Sequence, residues 1–290
     1  MTAEKESIRT GCKVNLWLRV TGRLENGYHT LDSFFLPLPE PHDTLTISPL
    51  PPGTEPGLRF TCSVPELEWE KGTVHKTHDR FAAATGFSPP VSLHLEKGIP
   101  MGAGLGGGSA DAAAFLLSLN RLAKKAGHAG LSPDGLTALA AGIGADVPFF
   151  LHNTPARVGG IGEIITPAAN PARGMYLLLL CPALHVPTPW AFAAFDALAA
   201  QNAQSNLTFS PGTDRKPFVH EACFQNDLEP AVFETYPELT ELRTRLLAAG
   251  AVSALMSGSG SSLFGLFAEK ARARTAMAAF PGIRCHLHEL

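Results

Sequence analysis

The sequence predicts an α+β protein with two domains, over residues 1–155 and 156–290. In the first half, short strands lead to a glycine-rich run that an amphipathic helix follows directly. In the second half, strands and helices alternate in a different order, with paired strands between helices. At 290 residues the chain is long enough for two domains that each bury a core.

A first strand is predicted over residues 13–20, KVNLWLRV. Apolar residues alternate along it with Lys13, Asn15, Trp17 and Arg19, and a period of two indicates a strand buried on one face. Lys13 and Asn15 therefore project from the same, exposed face. From the residues alone, a solvent-facing position explains a lysine here better than catalysis does.

The pair Asn26-Gly27 predicts a tight hairpin turn, because both residue types accept positive φ angles. The turn returns the chain into the strand HTLDSFFLPL and places Tyr28 and His29 beside it. Two further strands, DTLTIS and VSLHLE, complete an N-terminal sheet. The stretch at 48–57, rich in proline and glycine, is predicted to be a loop between strands.

The run PMGAGLGGGSADAAA at 100–114 is the most informative stretch of the chain. Its glycines allow backbone N–H groups to converge on an anion, and the helix predicted over Ser109–Lys125 adds the positive end of its dipole. A phosphate group satisfies both features. A flexible linker is the alternative, but linkers are rarely followed at once by an amphipathic helix.

Two common phosphate-binding motifs fit this run poorly. The Walker A motif requires a lysine where Gly108 is followed directly by Ser109. The dinucleotide fingerprint is formally matched by Gly102, Gly104 and Gly107, but the preceding strand ends early and no acidic residue closes a second strand. A Rossmann dehydrogenase, which would bind NAD, remains a weaker rival.

The second half follows the order βαββαβ with one helical insertion. Residues 176–181 form the first strand, and Thr188-Pro189 begins a helix. The helix PELTELRTRLLAAG, the strands VSALM and SLFGLF, the helix EKARARTAMAAF and the strand IRCHLHEL follow. This order is typical of a ferredoxin-like domain.

Composition limits the partners. The chain is 45% hydrophobic and 17% charged, with net charge −3 and pI near 6.4, so no basic field attracts nucleic acid or membranes. The five cysteines are odd in number and lack C-x-x-C spacing, which predicts reduced thiols in the cytoplasm. No apolar run reaches membrane-spanning length. The pairs His75-x-x-His78 and His286-x-His288 are interpreted as surface histidines rather than a metal site.

Four motifs in order resemble the GHMP kinases, the family of galactokinase, homoserine kinase and mevalonate kinase. They are CKVNLWLRVTGRLENGYHTLDSFF, the glycine run, GADVPFF and MSGSGSSLFGLF, and they extend from about residue 11 to 268. The resemblance implies the two-domain GHMP kinase fold. The N-terminal ATP-binding domain would be of the ribosomal protein S5 domain 2-like type, and the C-terminal domain ferredoxin-like.

The resemblance also implies an activity. The family member with the most similar motifs transfers the γ-phosphate of ATP, with Mg²⁺, to the 2-hydroxyl of 4-diphosphocytidyl-2-C-methyl-D-erythritol in the non-mevalonate isoprenoid pathway. Another small-molecule kinase of this family is an alternative. A non-catalytic sensor of the same fold is a second, although the chain keeps both Lys13 and Asp146.

Site residues follow from the same resemblance. Lys13 and Asp146 match the catalytic pair, with Asp146 as general base or orienting acceptor and Lys13 stabilising charge on the γ-phosphate. From the residues alone, Asp146 reads equally as an N-cap and Phe192 as core. The ATP side comprises Lys97, Pro100, Gly102, Gly104, Leu105, Gly106, Gly107, Gly108 and Ser109, whose hydroxyl is a candidate ligand of Mg²⁺. The acceptor side comprises Asn15, Tyr28, His29, Asp146, Phe192, Ser257 and Gly258, with the three rings placed around cytosine.

The chain departs from the family pattern in two places. VHKTHDRFAAATG stands where relatives carry Asn-Leu at the start of a helix, so the adenine pocket is not defined by the motif. Ser109-Ala110 stands where two serines are common, so only Ser109 is carried over.

Overall fold

The computed structural model describes residues 5–51, 53–67, 72–204 and 224–290. These residues form two compact units, each assembled from segments that are distant in sequence. The predicted domain division at residue 155 stays a prediction, since the units interleave along the chain. Unit 1 comprises Met1–Cys12, Pro39–Ile99 and Gly106–Thr154, and unit 2 comprises Lys13–Leu38, Pro100–Leu105 and Pro155–Leu290.

Two long strands, β1 (Glu6–Arg23) and β2 (His29–Pro49), contribute to both units. The sequence predicted two strands, HTLDSFFLPL and DTLTIS, where β2 is continuous. Pro37, Pro39 and Pro41 lie between the residues of β2 that pair with residues 156–158 and those that pair with residues 91–96, so neither of these pairings needs their missing N–H groups.

In unit 1, β2 pairs antiparallel with β4 (Val91–Glu96), and β3 (Leu58–Cys62) pairs parallel with β4. The alternate residues Val91, Leu93 and Leu95 are buried, as the period-two pattern of VSLHLE predicts. Four helices belong to this unit: α1 (Thr73–Thr85), α2 (Gly107–Lys125), α3 (Pro133–Ile143) and α4 (Val147–His152).

Helix starts in unit 1 follow their local sequence. α3 begins at Pro133 with Ser132 as N-cap, whose hydroxyl accepts the Gly135 N–H at 3.2 Å, as predicted. α2 begins after Gly106, which has a φ of 73°, and no side chain caps it. The glycine therefore turns the chain sharply into a helix whose first N–H groups lack a side-chain partner.

In unit 2, the predicted hairpin turn joins β1 to β2. Gly27 has a φ of 86°, and Leu24 both donates to the Tyr28 carbonyl at 2.8 Å and accepts the Gly27 N–H at 2.9 Å. Two short strands, β5 (Ala156–Gly159) and β6 (Ile164–Pro167), extend this side of the sheet from β2.

The prediction that β1 is half-buried is wrong, because both of its faces are covered. Lys13, Asn15 and Trp17 are as inaccessible as the apolar residues between them. The alternation in the sequence shows which residues are polar, but not which are exposed. The polar residues of this strand can be buried because internal hydrogen bonds compensate their polar groups. Asn15 Nδ2 donates to Ser33 Oγ at 2.9 Å, and that hydroxyl donates to the Trp17 carbonyl at 2.5 Å.

The rest of unit 2 has the predicted ferredoxin-like topology. Its elements are β7 (Tyr176–Cys181), α5 (Thr188–Gln204), α6 (Glu229–Thr235), α7 (Pro237–Ala248), β8 (Ser253–Met256), β9 (Leu263–Phe267), α8 (Lys270–Met277) and β10 (Arg284–Glu289). The antiparallel sheet has the strand order β10-β7-β9-β8. Helices α7 and α8 pack on this sheet, so α5 and α6 are the insertion, and aliphatic residues of the sheet and helices share one core.

Two of the four histidines assigned to the surface are buried. His78 on α1 is 6% exposed and His288 on β10 is 7% exposed. Both lie on regular elements packed against a core, where an imidazole is accommodated as a partly apolar ring. No helix in the described part of the chain combines the length and apolar character needed to cross a bilayer.

Candidate functional site

Lys13 and Asn15 form a buried polar pair on β1 in unit 2. Lys13 Nζ donates to Asn15 Oδ1 at 2.6 Å, so the prediction that both point the same way is confirmed. The ammonium also lies 4.6 Å from the centroid of the Phe35 ring. A cation held in such a low-dielectric position interacts strongly with any negative charge brought beside it.

The first half of the glycine run, also in unit 2, is hydrogen-bonded to β1. The Lys13 N–H donates to the Leu105 carbonyl at 2.9 Å. Ser257 completes the link, because its hydroxyl donates to the Gly104 carbonyl at 2.9 Å and accepts the Asn15 N–H at 3.2 Å. Pro100 and Gly102 belong to the same unit.

The turn at residues 257–262 lies against this half of the run. The Ser262 N–H donates to the Ala103 carbonyl at 3.1 Å. Gly104 has a φ of 72°, and a Cβ on it would overlap the Ser257 carbonyl oxygen and lie 3.1 Å from the Gly260 nitrogen. Part of the glycine requirement therefore comes from protein packing rather than from a ligand.

The second half of the run, in unit 1, forms the first turn of α2. The N–H groups of Ser109 and Ala110 both donate to the Gly106 carbonyl at 3.0 Å. A Cβ on Gly108 would lie 3.6 Å from Thr73 Oγ1, an ordinary contact, so the protein itself leaves room there. This half has the uncapped helix start that favours a phosphate.

Asp146 is the residue before α4 in unit 1. It has helical backbone angles and its carboxylate makes no capping hydrogen bond, so the N-cap interpretation is wrong. The segment before it approaches the start of α2, because a Cβ on Gly144 would lie 3.9 Å from Ser109 Oγ.

Lys97 is the centre of a buried charge cluster in unit 1 that the sequence did not reveal. Its Nζ donates to Asp43 Oδ2 and, at 3.0 Å, to Asp111 Oδ2. Asp43 Oδ1 also accepts the Gly98 and Ile99 N–H groups at 2.6 and 2.7 Å. The cluster therefore fixes the segment that enters the glycine run and joins it to α2.

Two carboxylates share one ammonium in this cluster. Burial raises the pKa of Asp111 to about 7, despite the attraction of Lys97. Burial alone would lower the pKa of Lys97, but the charges of Asp111 and Asp43 outweigh it and raise that pKa. Protonation of Asp111 would leave the cluster neutral.

Tyr28, His29 and Phe192 all belong to unit 2. The His29 ring stacks on Phe192 with centroids 4.9 Å apart, so no base lies between these two rings. His29 Nε2 contacts Asp196 Oδ1 at 2.7 Å, and Arg23 contacts the other oxygen at 3.1 Å. Tyr28 is 60% exposed beside them.

A metal site made of protein side chains alone is absent from the described residues, which contain no cluster of three His, Cys, Asp or Glu suited to one. A divalent ion would therefore depend on ligand oxygens, with a hydroxyl such as Ser109 adding to them.

The two halves of the chain match two models of one family. The model described as GHMP kinases N terminal domain matches residues 72–154, and the model described as GHMP kinases C terminal matches residues 215–283. A protein of Nitratidesulfovibrio vulgaris strain DP4 is 47% identical over 98% of both chains. The chain belongs to the GHMP kinase family.

Several GHMP kinases that are similar to this chain share one name. The Nitratidesulfovibrio protein is named 4-diphosphocytidyl-2-C-methyl-D-erythritol kinase, as is a Solidesulfovibrio magneticus protein, 45% identical over 96% of this chain and 94% of its own. A crystal structure of 4-(cytidine 5'-diphospho)-2C-methyl-D-erythritol kinase is 33% identical, with a TM-score of 0.72 over 97% of this chain and 98% of that one.

Proposed function

We propose that this GHMP kinase phosphorylates the 2-hydroxyl of 4-diphosphocytidyl-2-C-methyl-D-erythritol with ATP, in the non-mevalonate isoprenoid pathway. The full-length relatives with that name support the acceptor. One structural observation carries the chemistry: the buried Lys13–Asn15 pair is hydrogen-bonded through the Lys13 N–H to the glycine run. A cation beside a phosphate loop is what phosphoryl transfer requires.

ATP would bind as its Mg²⁺ complex along the glycine run. Gly106, Gly107, Gly108 and Ser109 supply the helix start for its phosphates, with the Ser109 hydroxyl as the candidate Mg²⁺ ligand. Pro100, Gly102, Gly104 and Leu105 form the entry to the run, and Lys97 would support it through Asp43 and Asp111.

The transfer forms a bond between the acceptor oxygen and the γ-phosphorus and breaks the bond to the β–γ bridging oxygen, which gives ADP. Asp146 would orient the hydroxyl and take its proton. Lys13 would stabilise the negative charge that develops on the transferred group, and Asn15 would bind the acceptor near its reacting hydroxyl.

The acceptor's other end would lie on unit 2 residues. Tyr28 and Phe192 offer rings for the cytosine, and His29 offers its Nδ1 edge, because the Asp196 carboxylate can only accept a hydrogen from Nε2. Ser257 and Gly258, in the turn that contacts Gly104, would bind the diphosphate.

A coupled ADP-release assay tests the function. Wild-type protein should turn over the cytidylyl acceptor far faster than homoserine, mevalonate or galactose. A preference for one of the other three would identify a different kinase of the family. Nucleotide binding without turnover of any acceptor would favour a sensor, and NAD binding in place of ATP would favour a dehydrogenase.

Loss of a ring tests the cytidine pocket. Phe192→Ala should raise the acceptor KM by a factor that corresponds to about 1–3 kcal/mol of stacking, with the ATP KM nearly unchanged. His29→Ala should in addition narrow the preference for cytidine over uridine diphosphate acceptors. Trp190→Leu, a change in the same helix at a ring that packs on Tyr236, is the packing control. Unchanged acceptor KM and base preference in both variants would place the pocket elsewhere.

Substitutions of single glycines distinguish positions where a ligand must approach the backbone from positions where protein packing excludes a side chain. Gly108→Ala should fold normally, because its Cβ has room, but should raise the ATP KM about tenfold if phosphate approaches that backbone. Gly104→Ala should destabilise the protein itself, as measured by thermal unfolding. In Gly106→Val and Gly107→Val, ATP binding should weaken more than acceptor binding. A normal ATP KM in a folded Gly108→Ala protein would argue against this phosphate position.

A further inference from the structure

A short segment that leads into α6, residues 225–229, holds the turn at 257–262 in unit 2. Asn226, its second residue, is 5% exposed. Its Nδ2 donates to the Met256 carbonyl at 2.8 Å and to the Gly258 carbonyl at 2.7 Å, while its Oδ1 accepts the Leu228 N–H at 2.9 Å. The buried side-chain amide of Asn226 therefore holds the residues on either side of Ser257, where the turn begins.

Glu229 adds a bond to the same strand end. Its Oε1 accepts the Met256 N–H at 2.6 Å, so Met256 is held through both of its backbone groups. Arg243 Nε lies 3.7 Å from the other carboxylate oxygen and donates to the Ala254 carbonyl at 2.9 Å. The end of β8 is thus fixed before the turn begins.

The same segment is anchored to β1. The Leu18 N–H donates to the Gln225 carbonyl at 2.8 Å, and the Asp227 N–H donates to the Leu18 carbonyl at 2.9 Å. Asp227 Oδ2 accepts the Val20 N–H at 2.9 Å. Residues 225–229 therefore connect the strand that carries Lys13 and Asn15 to the turn.

The Asn226 bond to Gly258 determines the direction of one peptide group. In a trans peptide the carbonyl and the following N–H point in opposite directions. Because the Gly258 carbonyl points at Asn226, the Ser259 N–H points away from it. Gly258 has a φ of 57°, and glycine permits other orientations of this peptide, so the bond to Asn226 selects one of them.

We propose that Asn226 is a positioning residue, which orients the Gly258–Ser259 peptide so that the Ser259 N–H binds a phosphate of the acceptor's diphosphate. Glu229 supports it by fixing Met256. The inference rests on the proposed function, since it assigns a role within the acceptor site. A purely structural Asn226 would stabilise the fold without a selective effect on the diphosphate.

Inhibition by CDP and by cytidine tests the proposal, because the ratio of their inhibition constants measures the contribution of the diphosphate. Asn226→Asp keeps the shape but sets carboxylate oxygens against two carbonyls, which frees the peptide. We expect the ratio to fall about tenfold, with the cytidine constant and the ATP KM within about twofold of wild type. Asn226→Ala, which removes both bonds without repulsion, serves if the aspartate variant does not fold.

Asp227→Asn is the matched control, because it lies in the same segment and contacts β1 rather than the turn. It should leave the ratio unchanged. An unchanged ratio in a folded Asn226 variant, or an equal loss of cytidine and CDP, would overturn the positioning role. A wild-type protein that bound CDP no better than cytidine would instead contradict the proposed acceptor itself, and the positioning role with it.

Discussion

Asp146→Asn should lower kcat about 100-fold or more while the KM values for ATP and acceptor stay within about twofold. The amide keeps the size of the carboxylate but can neither accept the hydroxyl proton nor carry negative charge. The Asp146 side chain makes no capping hydrogen bond, so the substitution removes no N-cap from α4. ADP release at saturating substrates gives kcat, and isothermal titration gives binding.

Asp134→Asn is the control for Asp146→Asn. Asp134 is exposed in the first turn of α3, so both variants lose one carboxylate next to a helix start in unit 1. Only the Asp146 variant should lose turnover. Near-normal kcat in folded Asp146→Asn would remove this residue from the chemistry.

The regular elements from residue 176 onward, except α6, could be predicted because each carries a local signal. The apolar runs of β7 and β9, the proline starts of α5 and α7, and the helical spacing in α7 define their type without tertiary context. Strands β3, β5 and β6 were not predicted. They are four or five residues long, and their pairing partners are distant in sequence for β3 and β5, so no local pattern marks them.

Site residues could be predicted where their arrangement follows from residues that are close to them in the sequence. The two-residue spacing on a strand predicted that Lys13 lies beside Asn15, and the Asn26-Gly27 motif predicted that His29 lies next to the hairpin turn. Asp43, Asp111 and Asn226 were missed. Each acts through partners tens of residues away, so its sequence context shows only an isolated polar residue.

The glycine run has two different reasons for its composition. In its first half, Gly104 lacks a side chain because the 257–262 turn occupies that space. In its second half, packing does not explain why Gly108 lacks a side chain, and the approach of a phosphate there stays a prediction. The sequence predicted a phosphate for the whole run, whereas packing explains Gly104.

Burial strengthens the prediction of a catalytic role most for Lys13. As a surface lysine it would interact with substrate through water, at high dielectric and with a small energy. As a buried ammonium beside Asn15 and Phe35 it already bears the cost of desolvation in the folded protein. In the proposed reaction, its charge would act on the transferring phosphoryl group without rearrangement of solvent.

Lys13→Met should consequently reduce kcat about 100-fold or more, well beyond any loss of folded protein. Methionine fills similar volume, but it leaves the buried Asn15 Oδ1 without its donor, so some loss of thermal stability is expected as well. Lys270→Met, which removes an exposed lysine paired with Glu289, should leave kcat unchanged. Turnover is measured by ADP release and stability by calorimetry. If Lys13→Met kept wild-type kcat, or lost activity only in proportion to unfolded protein, the ammonium would be a structural group, and the charge that stabilises the transferring phosphoryl would have to come from another residue.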